Sequence, residues 1–166
     1  MEDGLNLTTR RSVGLVCVAL SVATWKATAQ MPAFSLGAVI GEPTGLSAKL
    51  WLDRRSALDA AVGFSFARAT AFNLQLDYLV HLHDVLDPAS GTAMIYLGGG
   101  ARIKTEDDTR FGFRVPVGVE YVFEVTPMDL FLEIAPIVDV TPEVVLSFNV
   151  GIGFRFFIPW EVPAEL

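Results

Sequence analysis

From residue 34 onward, large apolar side chains recur at every second position in short runs. "FNVGIGFRFF" sets Phe148, Val150, Ile152, Phe154 and Phe156 against Asn149, Gly151, Gly153, Arg155 and Phe157. A period of two predicts a strand with two unlike faces. The same alternation predicts strands over 34–41, 45–52, 57–66, 71–83, 92–104, 110–124 and 128–140, with the last over 148–157. Between them stand "EPTG", "DRRS", "DVLDPASG", "TEDD", "VTP" and "TPE", which supply turn residues. No helical period of comparable length competes. Short strands at this spacing predict an all-β barrel or sandwich.

Sorting each strand by parity separates two kinds of residue. One face collects the bulk: Leu46, Leu50, Leu58, Val62, Phe64, Phe72, Leu74, Leu76, Tyr78, Phe111, Phe113, Val115, Val117, Leu130, Leu132 and Ile134. The other mixes Gly, Ala and Ser with charges of both signs: Lys49, Asp59, Asp77, Arg102, Arg114, Glu120, Glu133, Asp139 and Arg155. An eight-stranded barrel has an interior just wide enough for side chains to fill, which suits small residues and paired charges. The bulky face then has to meet lipid, because a bilayer core hydrates neither backbone nor polar groups. The expected fold is all-β, an eight-stranded antiparallel up-and-down transmembrane β-barrel. The alternative is a soluble exported lipocalin-like binding barrel, with the bulky face inside and the other face wet. Such an outer face is usually rich in Lys and Glu, yet only Lys49 and Lys104 are lysines beyond residue 29.

The first 29 residues differ from the rest. Arg10 and Arg11 precede the apolar run "SVGLVCVALSVATW" and then "KATAQ", which read as the basic region, apolar region and Ala27-Thr28-Ala29 cleavage site of a signal peptide. An N-terminal anchor helix is the competing reading, but the run is short for a span. The lone cysteine, Cys17, lies in this run, so the exported domain would carry no disulfide. The chain of 166 residues is 52% hydrophobic with a net charge of -7, which argues against nucleic acid as a partner.

The last strand carries the most specific pattern. In "NVGIGFRF", Asn149, Gly151, Phe154 and Phe156 resemble the assembly signal that ends bacterial outer-membrane barrels. The chain as a whole resembles the small eight-stranded class, typified by the membrane domain of outer membrane protein A and by OmpX-like proteins. That resemblance implies residence in the cell outer membrane of a Gram-negative cell. It implies outer-membrane lipids and the barrel-assembly machinery as partners, and a monomer. The expected division is a signal peptide over 1–29, the barrel over 30–158 and a periplasmic tail over 159–166. The family's signal normally closes the chain, whereas "IPWEVPAEL" follows here. The connections expected outside the cell, near 42–44, 67–70, 105–109 and 141–142, are short, which speaks against a loop-borne adhesin.

Candidate chemistry is sparse. His81 and His83 share a face at a spacing that could ligate a metal, but with Asp84 they do not complete a site, so no metal and no cofactor is expected. Some small barrels modify lipid A, and Ser65, His81 or His83, and Asp77 could be imagined as a catalytic group. No flanking motif supports them, and no catalytic residue is assigned. "LGGGAR" lacks the Gly-Lys-Ser/Thr sequel of a phosphate loop, and its glycines instead let side chains from opposite walls meet or bend the strand. "KTEDDTR", with Glu106, Asp107 and Asp108, reads as a solvated hairpin tip. Parity sends Tyr78 and Tyr121 outward, as girdle candidates, and Trp51 and Tyr96 inward. Pro116 and Pro136 mark bulges or strand ends. One register that parity allows sets Arg114 across from Asp139 and Glu124 across from Asp129. It also sets Glu120 across from Glu133, with Arg155 between them. A bore filled in this way predicts a plugged barrel.

Overall fold

The computed structural model describes residues 34–65, 71–83, 85–105 and 108–158. The expected signal peptide and C-terminal tail lie outside these residues, as do Asp84, Glu106 and Asp107.

Among the described residues, nine strands form one sheet: β1 (Phe34–Gly41), β2 (Thr44–Trp51), β3 (Ser56–Ser65), β4 (Ala71–Leu82), β5 (Thr92–Thr105), β6 (Thr109–Arg114), β7 (Val117–Val122), β8 (Met128–Thr141) and β9 (Val145–Ile158). Every pairing is antiparallel, and β1 pairs with β9, so the sheet closes on itself. β6 and β7 are two halves of one wall, both lying between β5 and β8. The ring therefore has eight walls, and closure leaves neither a first nor a last strand as a free edge along the seam.

The division between β6 and β7 falls at Val115-Pro116. Proline brings no N–H to a ladder, but the wall remains bonded there: Gly98 N donates to Pro116 O (2.9 Å) and Val115 N to Pro136 O (3.0 Å). The expected single strand over 110–124 is thus interrupted at its proline. The last strand starts three residues earlier than expected, at Val145.

The expected register between the sixth and seventh walls is wrong by two residues. Val122 faces Asp129, Gly118 faces Glu133 and Glu120 faces Phe131. Further along, Gly112 faces Asp139 and Arg114 faces Ile137. The cause is the turn. Residues 123–127 form the connection, closed by Phe123 N donating to Met128 O (3.1 Å), where a tighter turn after Glu124 was expected.

The walls are steeply staggered. Stepping from Ser35 across the ladders passes Lys49, Asp59, Asp77, Gly100, Arg114, Ile137 and Ser147. Extending the β1–β9 register past its last pair, Gly41 with Gly151, would bring the walk to position 45, ten residues beyond its start. Such a stagger goes with strands tilted about 35–45° from the barrel axis. It also makes the walls unequal in height. β1 ends its pairing at Gly41, opposite Gly151, while β8 and β9 continue together to Asp139 and Val145.

Facing follows the alternation. β4 alternates buried and exposed over its whole length. Outward stand Leu46, Leu76, Phe113, Leu132, Phe148, Val150 and Ile152, each more than half exposed. Inward stand small residues, a few large apolar ones (Leu79, Tyr96, Phe131, Ile137) and most of the charges. This is the reverse of the facing in a soluble barrel.

Candidate functional site

The interior is the place where the sequence concentrates chemistry. Lys49, Asp59, Asp77, Arg102, Arg114, Glu120, Asp129, Asp139 and Arg155 are all buried. Glu133 faces the same space and is slightly more open, at 12% side-chain exposure. Ions in so little water hold only when each is met by opposite charge or hydrogen bonds, since desolvation costs several kcal/mol per ion. Among the described residues the fold meets this demand with four buried cations, Lys49, Arg102, Arg114 and Arg155, of which Lys49 and Arg155 share Glu120.

Lys49 of β2 is the first. Its Nζ donates to Glu120 of β7 and lies 2.9 Å from His81 Nε2. His81 Nδ1 lies 3.1 Å from the carbonyl of Arg55, which can only accept. His81 Nε2 also lies 3.2 Å from Glu120 Oε2, so the imidazole stands between the ammonium, the carboxylate and the Arg55 carbonyl. Trp51 and Tyr96 pack on the imidazole, with centroids 4.2 and 5.5 Å away, and both rings also lie near the ammonium. Cation–π attraction strengthens in such dry surroundings.

Arg155 of β9 spans the bore. Its Nε donates to Asp129 Oδ1 (2.9 Å), its Nη1 donates to Asp59 across the barrel, and its Nη2 stands 3.6 Å from Glu120. The guanidinium lies over Phe131, 4.2 Å from the ring centroid. Arg114 of β6 holds Asp77 of β4 and Glu133 of β8 (2.5 Å), and Glu133 accepts the Tyr96 hydroxyl (3.0 Å). Arg102 of β5 stands apart, nearer the end carrying the β1–β2 and β8–β9 turns. It grips both oxygens of Asp139 (3.2 and 2.7 Å), Asn149 Oδ1 (3.2 Å) and Ser147 Oγ (2.9 Å).

The partners differ from those expected. Arg114 does not meet Asp139; the two-residue change in register gives Asp139 to Arg102 and Glu133 to Arg114. Arg155 does approach Glu120, but Arg114, not Arg155, meets Glu133. Two members of the network went unassigned in the sequence, Asp129 and His81. Parity already placed both on the inward face, and that was the available signal.

The remaining candidates are scattered. His83 leaves His81 behind, its Nε2 lying 2.5 Å from Arg54 O in the β2–β3 turn. Among the described residues no group of three or more His, Cys, Asp or Glu is disposed to hold a metal ion. Asp77 and His81 serve different cations, and the Ser65 side chain lies outside the described structure. Tyr78 points outward, while Tyr121 donates to Ser90 O (2.9 Å). Trp51 and Tyr96 point inward. Of the terminal-strand pattern, Asn149 and Gly151 face the interior, and Phe154 and Phe156 face out in an edge-to-face pair at 5.8 Å. Asn149 thus also serves as a partner of Arg102.

Below the β1–β2 turn lies a small cavity of about 10 Å³, bordered by Glu42, Ser47, Asp59, Gln75, Phe131 and Glu133. That is room for a single water-sized occupant.

No family model matches the chain, and no curated protein matches it in sequence. Among solved structures, the N-terminal β-barrel domain of Pseudomonas aeruginosa OprF is similar to it. The TM-score is 0.60 at 14% identity, over 77% of this chain and 98% of that one. The likeness is one of fold, and it agrees with the small eight-stranded barrel class.

Proposed function

We propose that this chain is a small outer-membrane β-barrel with a structural or interaction role, whose bore is closed by its own ion pairs. The observation that carries this reading is the inverted facing: buried ions inside, and large apolar side chains outward on every wall. A surface of that composition is unfavourable in water and suits a bilayer. The OprF barrel domain supports the same architecture.

In this reading residues 1–29 direct export and are removed near Ala29, residues 30–158 insert as a monomer, and residues 159–166 trail into the periplasm. Asn149, Gly151, Phe154 and Phe156 engage the barrel-assembly machinery. A bore closed in this way does not serve bulk transport. The test is threefold. The protein should fractionate with the outer membrane, run on a gel with a heat-modifiable shift, and give no large steady current in a planar bilayer. Recovery in the soluble periplasm, or sustained conductance, would overturn it.

A further inference from the structure

Lys49 is the one buried lysine among the described residues. Its Nζ lies against Glu120 Oε2, and both side chains are fully enclosed. The two residues come from walls that do not pair with each other, β2 and β7, so their contact crosses the bore. His81 Nε2 stands against both, 2.9 Å from Lys49 Nζ and 3.2 Å from Glu120 Oε2. A nitrogen nucleophile, a carboxyl carbon and a proton carrier within reach of each are therefore held in one place.

The rings of Trp51 and Tyr96 pack over the imidazole and lie near the ammonium. Two further charged groups face the pair: Asp59, opposite Lys49 in the β2–β3 ladder, and Arg155, whose Nη2 is 3.6 Å from Glu120 Oε2. Such dry surroundings oppose separated charge and exclude the water that reverses an acyl transfer. Glu120 Oε1 has no hydrogen-bond partner among the described residues, and it is the oxygen that remains if Oε2 departs.

We infer that Lys49 and Glu120 are the site of a self-made cross-link, an amide between Nζ and the Glu120 side-chain carbon Cδ formed with loss of one water. The Nζ lone pair attacks Cδ, a C–N bond forms, and the bond from Cδ to Oε2 breaks. Of the three protons on the ammonium, one stays on the amide nitrogen. The other two pass through His81 Nε2 to Oε2, which leaves as water. No oxidant, reductant or second reactant is required, and the net charge of the group is unchanged, because one cation and one anion vanish together. Arg155 stabilises the negative charge that builds on the carboxyl oxygens during attack. The arginine pairs of the bore cannot follow the same course, since guanidinium groups stay protonated. Confinement of the two reactants side by side supplies the proximity that the step demands. The bond ties β2 to β7 and closes residues 49–120 into a covalent loop.

The test is intact-mass spectrometry of the full chain folded in detergent, with fragmentation of the intact ion to fix both ends of the chain. The folded protein should be lighter than its sequence by one water. Its digest should contain one branched peptide joining the segments around Lys49 and Glu120, and a sample kept in urea should retain the full mass. Lys49→Arg preserves the charge and should also retain the full mass. Boiled in SDS, it should run behind the wild type, whose loop stays tied. His81→Gln can hydrogen-bond but not carry protons, and should slow the mass loss by roughly a hundredfold or more. The gel position of each unboiled sample shows that it has folded. A folded wild type that keeps its full mass through prolonged incubation overturns the cross-link and leaves an ordinary ion pair. Mass loss in Lys49→Arg, or at an undiminished rate in His81→Gln, overturns the atoms assigned here. The readout depends on the folded bore and not on where the barrel fractionates or whether it conducts, so this reading and the proposed function fail separately.

Discussion

Arg114 of β6 holds Asp77 of β4 by reaching over β5 at Gly100. In the ladders Asp77 faces Gly100 and Gly100 faces Arg114, so the three stand in one row. A Cβ at Gly100 would meet Asp77 Oδ1 and the Leu76 carbonyl at far less than contact distance. The glycine is what lets charges two walls apart touch. Arg114→Ala is expected to destabilise the barrel by about 3–5 kcal/mol, since it leaves Asp77 and Glu133 buried without their cation. Asp77→Asn added to it should recover part of the loss. Urea unfolding in detergent measures both. Gly100→Val should lower the midpoint although both charged residues are retained, because its side chain displaces the Asp77 carboxylate.

Facing can be read with a single probe. Phe113 is 58% exposed and Arg114 is 1% exposed. A fluorophore at 113 should be quenched by brominated lipid, and one at 114 should not. Phe113→Arg should cost about 2–4 kcal/mol if the position lies near the midplane. Gly112→Arg should act differently, by crowding Asp139 and Ile137 inside.

The terminal strand separates assembly from stability. Phe154 and Phe156 pack on each other outside the barrel, away from the ion pairs. Phe156→Ala should slow insertion in cells while leaving the folded barrel's interior network intact. Truncation after Ile158 should leave assembly unchanged. Pulse-chase of the heat-modifiable form distinguishes these outcomes.

The β2–β3 turn should respond to acid. Asp53 accepts from the Ser56 hydroxyl (2.6 Å) and from the N–H groups of Arg55 and Ser56 (2.7 and 2.8 Å). The Ser56 hydroxyl first, and then these N–H groups, hold its carboxyl below the usual value. A depressed folded pKa means that the turn's stabilisation is complete above about pH 4, the unfolded value, and is lost as pH falls through the lower folded one. Amide exchange at Arg55 and Ser56 should therefore quicken only under strongly acidic conditions. In Asp53→Asn it should lack that acid dependence.

Face was legible in the sequence and partnership was not, for one geometric reason. Shifting a strand by two residues keeps every side chain on its side of the wall. Lys49, Glu120 and Arg155 were therefore placed inward by alternation whatever the register. The pairing of Arg114 with Asp139 required the register itself, which depended on how many residues the 123–127 turn would take. Contacts across the bore, such as Arg155 to Asp59, depend further on the stagger accumulated over all eight walls, which no single strand encodes. His81 was visible as an inward residue, but its hold on the Arg55 carbonyl belongs to the end of the barrel, where alternation stops.

The pairing of β1 with β9 also sets an order of events in time. Phe34 meets Ile158, so the closing ladder joins the two ends of the described chain. Neighbouring hairpins can form from local encounters, whereas this contact must wait for the longest loop to close. Until it does, two rows of backbone amides and carbonyls have no partners, a state that hydrocarbon does not tolerate. A barrel lacking β1 should therefore not persist as a seven-walled remnant in lipid. It should fail as a whole, and the slowest step of folding should be the meeting of the two ends.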